Sequence, residues 1–161
     1  MDSFEARGYA VIPGVLSNAE CDHLKQALKA GTSGRAGSRH LMLNPAVLAL
    51  ANDDKLTTLA RRTLSTSTAI PFRATLFNKT SKANWLIPWH QDTALPLTSH
   101  SDDPEWTSWS QKGGIWHAHA PEWALKQVVA LRIHLDPSTS DNGPLRAIPG
   151  SHLSSVGRTS R

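Results

Sequence analysis

A change of hydrophobic period near residue 65 constrains the fold of this sequence more than any other feature. Before it, apolar residues recur at helical spacing; after it, extended and alternating runs take over. Ser17 and Glu20 have capping-box spacing ahead of Leu24, Ala27 and Leu28, which predicts an amphipathic helix over 18–30 closed by Gly31. Gly31 to His40 (GTSGRAGSRH) reads as a Gly/Ser-rich connection with basic residues. Asn44-Pro45 predicts an N-cap followed by proline at the first helical position. Helical pattern then continues to about Leu64, with a break at Asn52-Asp53-Asp54.

Beyond that point, residues 68–79 (TAIPFRATLFNK) and 84–91 (NWLIPWHQ) are extended candidates. Residues 127–135 alternate: Val129, Leu131, Ile133 and Leu135 face one way, Ala130, Arg132 and His134 the other. Turn signals at Asp141-Asn142-Gly143-Pro144 and Pro149-Gly150 bracket a short strand candidate, Leu145 to Ile148. Residues 95–124, with Trp106, Trp109, Trp116 and Trp123 among Pro, Gly, Ser and Asp, read as one long decorated loop. Helices followed by strands argue for an α+β, β-rich class with an antiparallel sheet or barrel.

The 161 residues suit a single domain, long enough to bury about 70% of the surface of the unfolded chain. No window approaches the roughly 18 apolar residues of a membrane span, so no membrane partner is expected. The start, MDSFEARGYAVIPG, has no basic-then-apolar leader pattern, and the expectation is a cytoplasmic protein. Cys21 stands alone, which rules out a disulfide within this sequence or a cysteine-based zinc cluster. The net charge of +4 is dispersed, with Arg61-Arg62 the only adjacent basic pair. No nucleic-acid partner is expected from such a distribution.

The sharpest chemical feature is Trp89-His90-Gln91-Asp92 at the end of an extended segment. Strand side chains repeat every two residues, so His90 and Asp92 project to one side. An imidazole nitrogen and a carboxylate oxygen so placed can hold adjacent positions on one metal, two thirds of the 2-His-1-carboxylate triad of non-heme Fe(II). Alone, the spacing is a weak signal and reads as a surface His and Asp.

The run LFNKTSKANWLIPWHQD (76–92), together with LRIHLDPSTSDNGPLRAIPGSH (131–152), resembles the phytanoyl-CoA dioxygenase family. That family has a basic residue upstream of a W-H-x-D element, then a strand, an N-G-x-L turn and a P-G-S-H segment. The opening GYAVIPGVLSNAECDHL is similar to the family's initial strand and helix. The resemblance implies an Fe(II)- and 2-oxoglutarate-dependent dioxygenase acting on a small molecule, with ascorbate as an accessory reductant. His90 and Asp92 match the first two iron ligands. Lys79 matches the basic residue that reaches a carboxylate of 2-oxoglutarate, and Lys82 competes for that role. The implied fold is a double-stranded β-helix of jelly-roll or cupin-like form with N-terminal helices. Residues 1–64 would be its helical part, 65–152 its β-helix part and 153–161 an irregular tail.

Relatives continue to a distal histidine, the third iron ligand, and an arginine that clamps 2-oxoglutarate. Nothing after His152 resembles that segment. The resemblance therefore implies a β-helix incomplete on its C-terminal side, and little turnover of 2-oxoglutarate. The alternative expectation is a non-catalytic remnant or interaction module of the same family. His152, His117 and His119 are weaker candidates, the first as a ligand and the other two at a substrate entrance.

Overall fold

A computed structural model describes residues 2–29, 37–80 and 86–154. They fall into two compact units: Met1–Leu86 with Ala130–His152, and Ile87–Val129 with Leu153–Arg161.

The first unit holds helices α1 (Asp2–Arg7), α2 (Asn18–Lys29), α3 (Pro45–Ala51) and α4 (Asp54–Leu64). Their starts follow from local chemistry. The Ser17 hydroxyl accepts from the Glu20 amide at 3.3 Å while the Glu20 carboxylate accepts from the Ser17 amide at 2.7 Å, the reciprocal box that satisfies two orphan donors. Asn44 Oδ1 accepts from the amides of Ala46 and Val47 at 3.0 and 3.3 Å, with Pro45 in the first turn. Asp53 Oδ1 takes the Lys55 amide at 2.7 Å and opens α4 after the Asn52 break. Leu24 and Leu28, one turn apart on α2, and Leu56 on α4 are this unit's buried leucines. Each such burial contributes about 2 kcal/mol. The expected stop at Gly31 lies outside the described residues.

The strand expected in the opening GYAVIP does not form: Gly8 to Ile12 join no ladder, and helix α1 precedes them. The helix ends at Gly8, whose amide bonds Phe4 O at 2.7 Å with φ at +78°. Segment 149–152 clasps this end. The Gly150 amide donates to Arg7 O at 3.0 Å, and His152 Nε2 donates to Glu5 O at 2.8 Å. A Cβ on Gly8 would collide with the His152 imidazole, so only glycine admits the clasp.

The extended candidates of this unit give little regular structure. Strands β1 (Gly37–Ser38) and β2 (Leu76–Phe77) pair antiparallel over two residues. The rest of 68–79 is irregular, with a bridge at Thr80 just beyond it, as are 130–134 and 145–148. Alternation describes which side chains could share a face, but a strand exists only when another backbone pairs with it. Val11 and Ile70 are largely exposed. The turns at Asp141-Asn142 and Pro149-Gly150 are present where expected.

The second unit reverses an expectation. Residues 95–124 form the largest described sheet, not a loop: β3 (Ala94–Leu97), β4 (Thr107–Lys112) and β5 (Ile115–His119), in order β3-β5-β4 and antiparallel throughout. Gly113 and Gly114, with φ of +58° and +80°, turn β4 into β5 by the two-residue hairpin that demands positive φ at both positions. A bulge between Thr107 and Ser110 bends β4 at Ser108, whose φ is +53°. Ala118 is fully buried, with Thr93, Ala120 and Ala124 also buried nearby in sequence or ladder. Short helix α5 (Glu122–Leu125) follows β5. Helices with small antiparallel sheets make the chain α+β; these sheets do not by themselves amount to a double-stranded β-helix.

Candidate metal centre

His90 and Asp92 lie just before β3, in the second unit. Thr93 anchors the approach: it is buried, and its carbonyl accepts the Ala120 amide at 2.9 Å, one step beyond the β3–β5 register of Ala94 with His119. Asp92 is therefore tied to the sheet by the residue that follows it. No ladder includes 86–91, and residues 81–85 of the expected extended segment lie outside the described residues.

The imidazole is held by its own backbone. His90 Nδ1 lies 2.8 Å from Pro88 O, an acceptor only, so Nδ1 carries a proton and Nε2 is the nitrogen left to meet a metal. That Nε2 faces Asp92 Oδ1 at 3.7 Å. Two donors at right angles on one ion, each with a bond of about 2.1 Å, stand about 3 Å apart, so a small rotamer change suffices for a shared metal. The Asp92 side chain is 86% exposed and that of His90 52%, which leaves the pair open to an incoming ion. An imidazole nitrogen beside a carboxylate is a donor set that suits Fe(II). Among the described residues, no group of three His, Cys, Asp or Glu side chains is arranged to hold a metal.

A second pair of the same spacing shows what geometry adds. His100 and Asp102 also stand two residues apart, with Nδ1 3.8 Å from Oδ1. Here the ring lies tilted by 38° against Trp109 at 4.3 Å and edge-on at 5.3 Å to Trp116, and those two indoles meet at 6.1 Å. His100 thus belongs to an aromatic cluster on the sheet. The loop expected over 95–124 thus gives way to a sheet on which Trp109 and Trp116 pack with His100. The available signal was Gly113-Gly114 between two alternating runs.

The other candidates are placed as follows. Lys79 is half-buried in the first unit, two residues after β2, whereas Lys82 lies outside the described residues. The Arg132 guanidinium sits over the Phe77 ring at 5.8 Å, a cation–π contact. His152 is engaged with the α1 carbonyl described above. His117 Nδ1 lies 3.1 Å from Ile115 O, and by strand alternation His117 and His119 face away from buried Ala118.

Comparison with known families adds a second line of support: the family model described as Phytanoyl-CoA dioxygenase (PhyH) matches residues 4–161. The chain belongs to the phytanoyl-CoA dioxygenase family. Neither the curated proteins nor the solved structures contain a match to it. Membership suggests the iron- and 2-oxoglutarate-dependent dioxygenase kind of chemistry, as is general in the phytanoyl-CoA dioxygenase family. No helix among the described residues is long and apolar enough to cross a membrane.

Proposed function

We propose that this member of the family is an Fe(II)- and 2-oxoglutarate-dependent dioxygenase that hydroxylates a small molecule, with His90 and Asp92 as two of its iron ligands. The observation that carries the reading is the tethered His90 ring, whose Nδ1 bond to Pro88 O directs Nε2 toward Asp92 Oδ1. Such an outer bond fixes the tautomer and raises the basicity of the ligating nitrogen. When bound, the iron would supply the coupling of O2 reduction to decarboxylation of 2-oxoglutarate and to oxidation of a substrate C–H bond. The protein's own part is to bind and orient. Lys79 is assigned to a carboxylate of 2-oxoglutarate, for which a flexible ammonium is a suitable partner. The fold class is assigned to an incomplete double-stranded β-helix of the cupin-like kind with N-terminal helices.

Anaerobic titration with Fe(II), or with Co(II) for its visible bands, reads the pair directly. His90→Ala and Asp92→Ala should each weaken binding by at least about tenfold. With ascorbate and O2 present, succinate release from 2-oxoglutarate should exceed that of His90→Ala. Equal metal binding in all three proteins would overturn the ligand assignment. Equal background succinate in wild type and His90→Ala would overturn the catalytic reading in favour of a non-catalytic family member.

A further inference from the structure

The end of α4 carries a cluster that the oxygenase reading does not use. Thr58, Arg61, Arg62, Ser65, Thr66 and Ser67 line an open depression of about 360 Å³. The backbone makes it. Ser65 takes the left-handed conformation at φ +52°, its amide bonds Arg61 O, and the Thr66 amide bonds the same carbonyl at 3.0 Å. This tight closure turns the chain back, so that residues 65–67 stand beside the guanidinium groups of the last helical turn.

Three features point to an anionic guest. No acidic residue lines the depression, and among the described residues neither guanidinium forms an ion pair with a carboxylate. Arg61 Nη2 donates to Thr58 Oγ1 at 2.9 Å, which holds that guanidinium in place. Thr58 Oγ1 and Thr66 Oγ1 each already accept a hydrogen bond, the latter from the Thr68 amide at 3.3 Å. Their hydroxyl protons remain to be donated, and a phosphate oxygen only accepts. Arginines near a helix C-terminus also offset the macrodipole, and the α4 carbonyl end opposes an anion. The double use of Arg61 O reduces that opposition, and dipole compensation does not call for a ring of hydroxyls free of carboxylates.

We infer that this depression is a binding site for a phosphate group, carried by a small phosphomonoester or free, held by Arg61 and Arg62 and by the hydroxyls of Thr58, Ser65, Thr66 and Ser67. Paired guanidinium groups grip phosphate oxygens through charge-assisted bonds, and arginine suits this better than lysine because its fork is planar. The site is independent of the metal assignment, and the test keeps the two apart.

The experiment is an NMR titration of the whole chain with inorganic phosphate and, separately, glycerol phosphate, each against sodium chloride at matched ionic strength. The amides of residues 65–67 and the Arg61 and Arg62 Nε–H signals should shift saturably with both phosphates and not with chloride. Tighter binding of glycerol phosphate would identify the monoester as the guest; equal binding would identify free phosphate. Arg61→Gln/Arg62→Gln should weaken binding by at least about tenfold. Ser67→Asp, which leaves the helix intact, should do the same by placing a carboxylate in the depression. His90→Ala should bind phosphate as wild type does. Linear shifts of equal size in phosphate and chloride, or undiminished binding by Ser67→Asp, would overturn the proposal.

Discussion

Lys55 Nζ lies 2.7 Å from Glu20 Oε1, joining the first turn of α4 to the first turn of α2. Glu20 is at once the second half of the Ser17 capping box and the partner of Lys55, so one carboxylate both starts a helix and docks it on another. The Lys55 ammonium, then the Ser17 amide and hydroxyl, hold its pKa down to about 2 from the ordinary 4.5. Glu20 in turn raises that of Lys55.

The sign of the pH dependence follows. A carboxylate whose pKa is lowered on folding contributes stability that is fully present above its ordinary range. That contribution is lost as pH falls from about 4.5 to about 2. Urea midpoints measured across that window should fall more steeply for wild type than for Glu20→Gln. Parallel curves would show that the contact is absent in solution. Because both groups are well exposed, added salt should also shrink the difference.

Asn44→Ala should destabilise the first unit by about 1 kcal/mol, because the amides of Ala46 and Val47 lose their cap. Asn44→Asp should be close to neutral, since it keeps the acceptor and adds a charge favourable at a helix start. Thermal or chemical denaturation would decide, and an Asp variant as weak as Ala would contradict the capping account.

Gly114→Val should destabilise the β4–β5 hairpin by more than about 1 kcal/mol, because a β-branched residue resists positive φ. Gly113→Asn should be tolerated, since asparagine enters that region readily. Amide exchange in Ile115–His119 is the appropriate readout, and equal protection in both variants would refute the hairpin assignment.

Gly8→Ala should release the His152 imidazole from the end of α1, and His152→Ala should expose the Glu5 carbonyl without a clash. Both variants should speed proteolysis or amide exchange at residues 4–8. Made together they should cost little more than the worse single change, because both remove one contact. Full additivity would mean that the two residues act separately.

Asp92→Asn should retain part of the metal affinity that Asp92→Ala loses, since an amide oxygen still donates but without charge. Combining His90→Ala with Asp92→Ala should cost less than the sum of the two, as for residues that share one ion. Additive losses would place the two side chains on different ions.

How much could be read without coordinates depended on how local the determining interaction is. The starts of α2, α3 and α4 were legible because Ser17, Asn44 and Asp53 bond amides within three residues of themselves, at positions any helix start would present. The spacing of His90 and Asp92 was legible for the same reason, as were the turns at Asp141-Asn142 and Pro149-Gly150. The identical spacing of His100 and Asp102 shows the limit. Which ring turns its Nε2 toward the carboxylate, and which packs against Trp109 and Trp116, depends on residues outside the two His-x-Asp triplets. Strands depend still more on distant partners. Residues 127–135 alternate better than β3 or β4, yet they form no ladder, whereas 95–124 pairs because Gly113-Gly114 brings two runs together. Helix caps are set within a few residues, and the sequence alone determined them. Strand pairing and the clasp of His152 on α1 join separate backbone segments, and only the tertiary structure decided them.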